Sequence, residues 1–204
     1  MSNVALVVKT ESIVRGRLAG QVAGHGMDHV LRVLRTSREI HAEVGGELVV
    51  VELAAILHDV GDAKFHDGKE RSAEFSREIL GGLGANPELI EHVAYIVDNL
   101  SFRKGAAAKP LSLEGMVVQD ADRLDALGAI GIVRTIEFGA VFGQPFYLAN
   151  ASDSKTGVEH FHDKLFKLKS LMNTDAGRRM AEGREAFMRT FLDQFMCEIA
   201  DVSP

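Results

Sequence analysis

The chain has no tryptophan, two tyrosines, one cysteine and 4 prolines among 204 residues. A single cysteine excludes an internal disulfide and fits a reducing compartment. Cys197, between Met196 and Glu198, reads as packing or surface filler and not as a nucleophile. With aromatics at 6%, the core must be built from Leu, Val, Ile, Ala, Met and the 11 Phe, which favours packed helices. A basic excess is missing too. The net charge is −6, and a protein that grips a nucleic-acid backbone would carry the opposite sign on one face. No apolar run approaches the roughly 18 residues of a membrane span, and Met1–Lys9 lacks the basic start and long apolar region of a secretory signal. The expected location is the cytoplasm.

What is present is ordinary globular composition, 46% hydrophobic and 25% charged, in a chain long enough for one domain with a sizeable core. Neither an internal repeat, a low-complexity tract nor strand alternation is evident, so the expected fold is all-α, a single domain over 1–204. One helix is predicted over 3–18, ending near Gly20. Gly24-His25-Gly26-Met27 then leads into a helix that Asp28 can cap and that runs to about Glu43, where Gly45-Gly46 stops it. A third covers about 48–59. Its start, Val49-Val50-Val51, has strand character, but Glu52 to Leu57 pulls it towards helix. A loop with Gly61, Asp67 and Gly68 precedes a helix over about 70–81. Pro87 opens the next, with Leu89, Val93, Ile96, Val97 and Leu100 as its apolar stripe. Ser101–Pro110 is a basic loop containing Arg103, Lys104 and Lys109. Leu113–Ile136, apolar on two sides and interrupted by Gly128 and Gly131, is two abutting helices or one bent helix. Gly143–Gly157 is loop, and helices at about 158–172 and 175–200 finish the chain.

Chemistry concentrates where the apolar run Leu53-Ala54-Ala55-Ile56-Leu57 ends in His58 and Asp59 and breaks at Gly61. A buried imidazole beside a buried carboxylate costs several kcal/mol unless hydrogen bonds or a cation satisfy both, and a divalent metal would do so at once. His-Asp occurs three times, and context separates the copies. His66-Asp67 precedes Gly68 in a turn. His162-Asp163 lies among Lys164, Lys167 and Lys169 on a solvated helix face. Only His58 follows Val51 and Ala54 up one face, against the core.

The order His29, His58-Asp59, then Asp122 within Asp120-Ala121-Asp122-Arg123-Leu124 resembles the H…HD…D signature of the HD-domain metal-dependent phosphohydrolase superfamily. The likeness extends through Gly24–Val33, Leu57–Phe65, Gln119–Ile132 and Met188–Glu198. In these segments the chain is similar to a bacterial branch of small stand-alone HD proteins, some of them nucleoside triphosphate pyrophosphohydrolases. The resemblance covers about residue 25 to the end. It implies a single-domain helical bundle with core motifs at about 25–132 and C-terminal helices at about 158–200 packing on them.

Helix geometry alone does not choose the last ligand. Asp122 and Asp125 share one side of their helix with Val118 and Ala129, while Asp120 lies on the other with Val117 and Leu124, and both sides are apolar. The resemblance assigns the role to Asp122, leaving Asp120 and Asp125 as supporting carboxylates. One departure stands out: the branch has Gly-His-Asp before its first ligand histidine, and here the third position is Gly26. Whatever that carboxylate does elsewhere, no side chain does it here, which also touches the setting of His25.

The resemblance therefore implies one divalent metal held by His29, His58, Asp59 and Asp122. Two imidazoles and two carboxylates suit Mn²⁺, which is favoured, or Mg²⁺, Fe²⁺, Co²⁺, Ni²⁺ or Zn²⁺, and a set without thiolates is not that of a typical structural zinc site. Asp62 matches the position of an acidic residue that orients or deprotonates the attacking water. Lys64 and Arg123 would balance phosphate charge, and His25 would contact the substrate or donate a proton. His92, at the edge of an apolar stripe, reads as structural, although some superfamily members bind a second metal through extra histidines; His66 is a weaker candidate of that kind. Phe138–Tyr147 reads as packing in preference to a base pocket. The expected activity is nucleoside triphosphate pyrophosphohydrolysis. A nucleoside monophosphatase or phosphodiesterase and a non-catalytic nucleotide-sensing module with a structural metal are the alternatives; intact Asp62 and Lys64 weigh against the last. The expected partner is a phosphorylated small molecule, a nucleotide by resemblance, with no nucleic-acid duplex and no membrane; homodimerisation stays open.

Overall fold

Helical periodicity is realised as nine α-helices and the 3₁₀ segment Leu165–Leu171 among the described residues, with no strand, as the sequence leads one to expect. The computed structural model describes residues 1–20, 26–63, 66–100, 109–149 and 155–200. The elements are α1 (Asn3–Arg17), α2 (Met27–Val44), α3 (Leu48–Leu57), α4 (Ser72–Gly82), α5 (Pro87–Asn99), α6 (Leu113–Asp125), α7 (Gly128–Phe142), α8 (Gly157–Asp163), the 3₁₀ segment Leu165–Leu171, and α9 (Asp175–Ala200). No helix is long and apolar enough to cross a membrane. Most of the basic loop expected at Ser101–Pro110 lies outside the described residues.

Three boundaries differ from expectation for identifiable reasons. α2 begins two residues before an Asp28 cap would place it, with Gly26 as its N-cap and Asp28 inside the first turn, where a carboxylate is favoured by the helix dipole. The predicted helix over 158–172 breaks at Lys164 into α8 and the 3₁₀ segment. Between the open alternatives for 113–136, the chain forms two abutting helices, α6 and α7. Only glycine fits the first turn of α7 at Gly131, where a Cβ would lie 2.2 Å from the Ala126 carbonyl oxygen. Helix α7 then continues past Ile136 to Phe142.

Contacts divide the chain into two compact units, Met1–Ala121 and Asp122–Pro204, with the division inside α6. In the first unit α3 is central, packed on α1, α2 and α5, and α4 packs on α5. A helix apolar on all sides has to be central, and seven residues of α3 are buried: Val50, Val51, Leu53, Ala54, Ala55, Ile56 and Leu57. Fully burying each Val, Leu or Ile is worth about 1.5–3 kcal/mol, several times the helix-propensity penalty of a valine, so the valine-rich first turn is helical. Helix α5 starts as its sequence predicts, with Asn86 accepting the Glu88 N–H at 2.8 Å and Pro87 in the first turn.

In the second unit α9 packs on α7 and on the 3₁₀ segment. The Phe146 ring meets Phe161, Phe191 and Phe195 edge-on, so this end of the Phe138–Tyr147 stretch serves packing, whereas Phe138 and Phe142 are exposed.

A buried polar knot ties the α2–α3 connection to α6 in the first unit. Glu114 Oε1 accepts the Glu47 N–H at 3.0 Å, Glu114 Oε2 lies 3.7 Å from His92 Nε2, and His92 Nε2 is 2.9 Å from Ser112 Oγ. His92 is thus held by polar partners, the structural reading. Burial pushes the Glu114 carboxyl up, but hydrogen bonds from the Glu47 N–H, its own N–H and Ser112, with the His92 imidazole, outweigh it and hold the group below the usual carboxylate range. A lowered folded-state value contributes stability that is complete above the unfolded value, about 4.3 for Glu, and is lost as pH falls through the folded one. Glu114→Gln should therefore cost about 1 kcal/mol at pH 7. Urea denaturation across pH should show the gap to wild type closing below about pH 4; a gap that persists there would remove the charge from the account.

Candidate metal centre

Helix α3 ends with carbonyl groups that have no intrahelical partner. His58, its C-cap, uses one of them: the ring Nδ1 lies 2.8 Å from the Ala55 carbonyl oxygen. A carbonyl only accepts, so Nδ1 carries the proton and donates, and Nε2 presents its lone pair. That lone pair faces His29 Nε2 at 3.1 Å, with the rings edge to face at 5.1 Å between centroids. His29 stands in the first turn of α2, its own N–H donating to the Gly26 carbonyl at 3.0 Å.

Asp59 closes the third side. Its Oδ2 is 3.5 Å from His29 Nε2 and its Oδ1 is 3.6 Å from His58 Nε2. His29 is 2% exposed and His58 8%, so the nitrogens meet away from bulk water. Among the described residues, these three are the only His, Cys, Asp or Glu side chains whose ligand atoms converge, all within 4.8 Å of one another.

Such a set is repulsive unless a proton or a cation lies in it, because the His58 nitrogen and both Asp59 oxygens are electron-pair donors. The donor atoms fit a divalent ion. Ligands at about 2.1 Å stand about 3.0 Å apart on an octahedron and 3.4 Å on a tetrahedron, and the separations here are close to both. The Ala55 carbonyl on the far nitrogen of His58 is the outer support that metal-ligating imidazoles use to hold tautomer and ring orientation.

The turn after Asp59 carries Asp62, half-buried, whose N–H donates to the Asp59 carbonyl at 3.2 Å. Gly61 locks this turn against the start of α4. Its N–H donates to Ser72 Oγ at 3.1 Å and its carbonyl accepts the Arg71 N–H at 2.9 Å. The approach is so close that a Cβ on Gly61 would lie 2.6 Å from backbone atoms of Arg71 and Ser72.

The other residues named from sequence are placed as follows. Asp122 lies on α6, half-buried, at the start of the second unit. Arg123 donates through Nη1 to the Leu171 carbonyl. Asp125 is committed to Arg134 by an ion pair within the second unit, and Asp120 is fully buried in the first. His66 rests edge-on against Phe75. Lys64 and His25 lie outside the described residues. Sequence reasoning missed two supports. The Ala55 carbonyl follows from the rule that helix ends leave orphan acceptors, and could have been found; nothing local connects Gly61 with Ser72, eleven residues on.

An all-α protein with two imidazoles and a carboxylate converging at the end of a buried helix is of the metal-binding type. The family model described as HD domain matches residues 26–127, and the chain belongs to that family. It is 38% identical to the YpgQ protein of Bacillus subtilis over 191 residues, 93% of this chain and 91% of YpgQ. The crystal structure of B. subtilis YpgQ in complex with ADP superposes with a TM-score of 0.84 at 33% identity, covering 97% of both chains. An HD-superfamily hydrolase from Bacillus thuringiensis superposes with a TM-score of 0.82 at 36% identity, covering 98% of this chain and 99% of the hydrolase.

Replacing Gly61 by Ala should lower unfolding stability by about 1–3 kcal/mol, because backbone has to move to admit the methyl group. Chemical denaturation measures this, and an unchanged midpoint would mean that the turn has more room than the 2.6 Å approach allows.

Proposed function

We propose that this chain is a metal-dependent phosphohydrolase acting on nucleotides, and within that class a nucleoside triphosphate pyrophosphohydrolase that prefers Mn²⁺. The convergence of His29 Nε2, His58 Nε2 and the Asp59 carboxylate, with the His58 tautomer set from behind by Ala55, carries the reading. Asp122 joins them as fourth ligand on the strength of its Ala121-Asp122-Arg123-Leu124 setting. Bound there, a divalent ion supplies Lewis acidity towards a phosphoryl oxygen and a water of lowered pKa. YpgQ has been crystallised with ADP, which supports a nucleotide as the ligand class, and a cytoplasmic location goes with such a substrate.

The chain's own residues divide the remaining work. Asp62 takes up the proton of the attacking water. Lys64 and Arg123 balance charge on the phosphates. His25 contacts the substrate or protonates the leaving oxygen.

Nucleotides and phosphoesters assayed with Mn²⁺, Mg²⁺, Co²⁺ and Ni²⁺, with products identified, test the reading. Pyrophosphate and a monophosphate are the expected products from a triphosphate; inorganic phosphate as the sole released product would move the chain to the monophosphatase class, and turnover confined to diesters, with a monoester as product, to the phosphodiesterase class. Asp59→Ala should abolish metal uptake and turnover together, and undiminished metal content would overturn its place as a ligand. Asp62→Asn should keep the metal and slow turnover by about 10²–10⁴-fold.

A further inference from the structure

The turn that carries Asp62 is held by a group outside the site. Past the end of α3 the Gly61 N–H no longer continues the helical ladder, and being buried it needs an acceptor. The acceptor is the hydroxyl of Ser72, 1% exposed, at 3.1 Å. A serine hydroxyl has one hydrogen, and here its direction is decided. Ser72 Oγ lies 2.5 Å from Glu70 Oε1, a charge-assisted bond in which the hydroxyl donates, so its lone pairs are turned to Gly61. The same Glu70 oxygen accepts the Ser72 N–H at 3.0 Å, and Ser76 Oγ donates to the Ser72 carbonyl at 2.7 Å. Serine and carboxylate are thus both anchored in the first turn of α4.

Both peptide planes flanking Gly61 are constrained in this way. Ser72 holds the plane that ends in the Gly61 N–H, and the Arg71 N–H holds the plane that begins with the Gly61 carbonyl. The second of these planes carries the Cα of Asp62. His58 has a separate anchorage, since it caps α3 and the Ala55 carbonyl fixes its imidazole. The His58 imidazole and the Gly61 peptide that leads to Asp62 therefore rest on different supports.

We propose that Ser72, oriented by Glu70, is a positioning residue that sets Asp62 through the Gly61 peptide and acts on the water-activating step without acting on metal uptake. This rests on the role given to Asp62 above. Removing the hydroxyl leaves the Arg71 to Gly61 bond in place, so the turn loosens without coming apart.

The test compares wild type, Ser72→Ala, Ser72→Thr, Glu70→Gln, Asp62→Asn and the Ser72→Ala/Asp62→Asn double variant. Manganese content, kcat and KM for a nucleoside triphosphate, and amide hydrogen exchange over residues 58–63 are read for each. In Ser72→Ala, kcat should fall by about 10–10²-fold with KM and manganese content unchanged. Exchange at Gly61 should quicken at least tenfold while the amides of α3 keep their protection. Ser72→Thr, which keeps the hydroxyl, should recover most of the rate, and Glu70→Gln, which weakens only the orienting bond, should lose less than Ser72→Ala. The double variant should be no slower than Asp62→Asn alone. Multiplying losses in the double variant, or manganese lost in parallel with rate, would overturn the positioning role while leaving that of Asp62 intact. Full activity in Asp62→Asn would instead remove Asp62 from the mechanism, and the proposal with it. Unchanged exchange at Gly61 in Ser72→Ala would sink the proposal whatever the chain hydrolyses.

Discussion

Two imidazole nitrogens 3.1 Å apart in the interior, one of them committed to presenting a lone pair, are the constraint on which the rest of the site depends. In water such a pair would separate. Here α2 delivers one ring from its first turn and α3 delivers the other from its C-cap, and the packing of those two helices holds them together. The Asp59 carboxylate adds negative charge on the third side. A donor set of this kind stores unfavourable electrostatics that a cation relieves, so the cost of assembling it becomes affinity for the ion.

That arrangement explains why α3 is so apolar. A helix bearing ligands at its end has to be rigid, and burial of seven residues of α3 supplies rigidity that a half-exposed helix would lack. The helix end then serves chemistry twice. Its orphan carbonyl at Ala55 orients His58, and the chain leaving it turns at once, so that Asp62 follows within one turn of Asp59. The turn is kept in place by contact with backbone eleven residues away, at a position where only glycine fits.

The departure at Gly26 also acquires a physical meaning. This residue is the N-cap of α2 and offers no side-chain acceptor to the first turn that ends in His29. An Asp at that place could cap the helix. Glycine in a cap costs only a few tenths of a kcal/mol relative to Asp, and Asp28 in the first turn supplies the favourable charge, so α2 forms without it.

All-α architecture, most helix boundaries and the convergence of His29 with His58 and Asp59 were legible in the sequence. Helical periodicity, caps such as Asn86-Pro87 and a polar pair closing an apolar run are local signals, and the HD motif added the long-range pairing. Less legible were features that depend on what packs where. Periodicity left 113–136 as one bent helix or two; the extended backbone of Leu127 and the left-handed φ of Gly128 (72°) make it two. It could not rank Asp120, Asp122 and Asp125, and the ion pair to Arg134 now accounts for Asp125. Nor could it show that Ser72 stands under Gly61. The sequence by itself determined which residues had the chemistry for a metal centre and on which helices they lie, because residue type and helical phase are properties of short segments. Only the tertiary structure decided which ring nitrogen faces the centre and what holds the adjoining turn, because those depend on atoms brought together from distant parts of the chain.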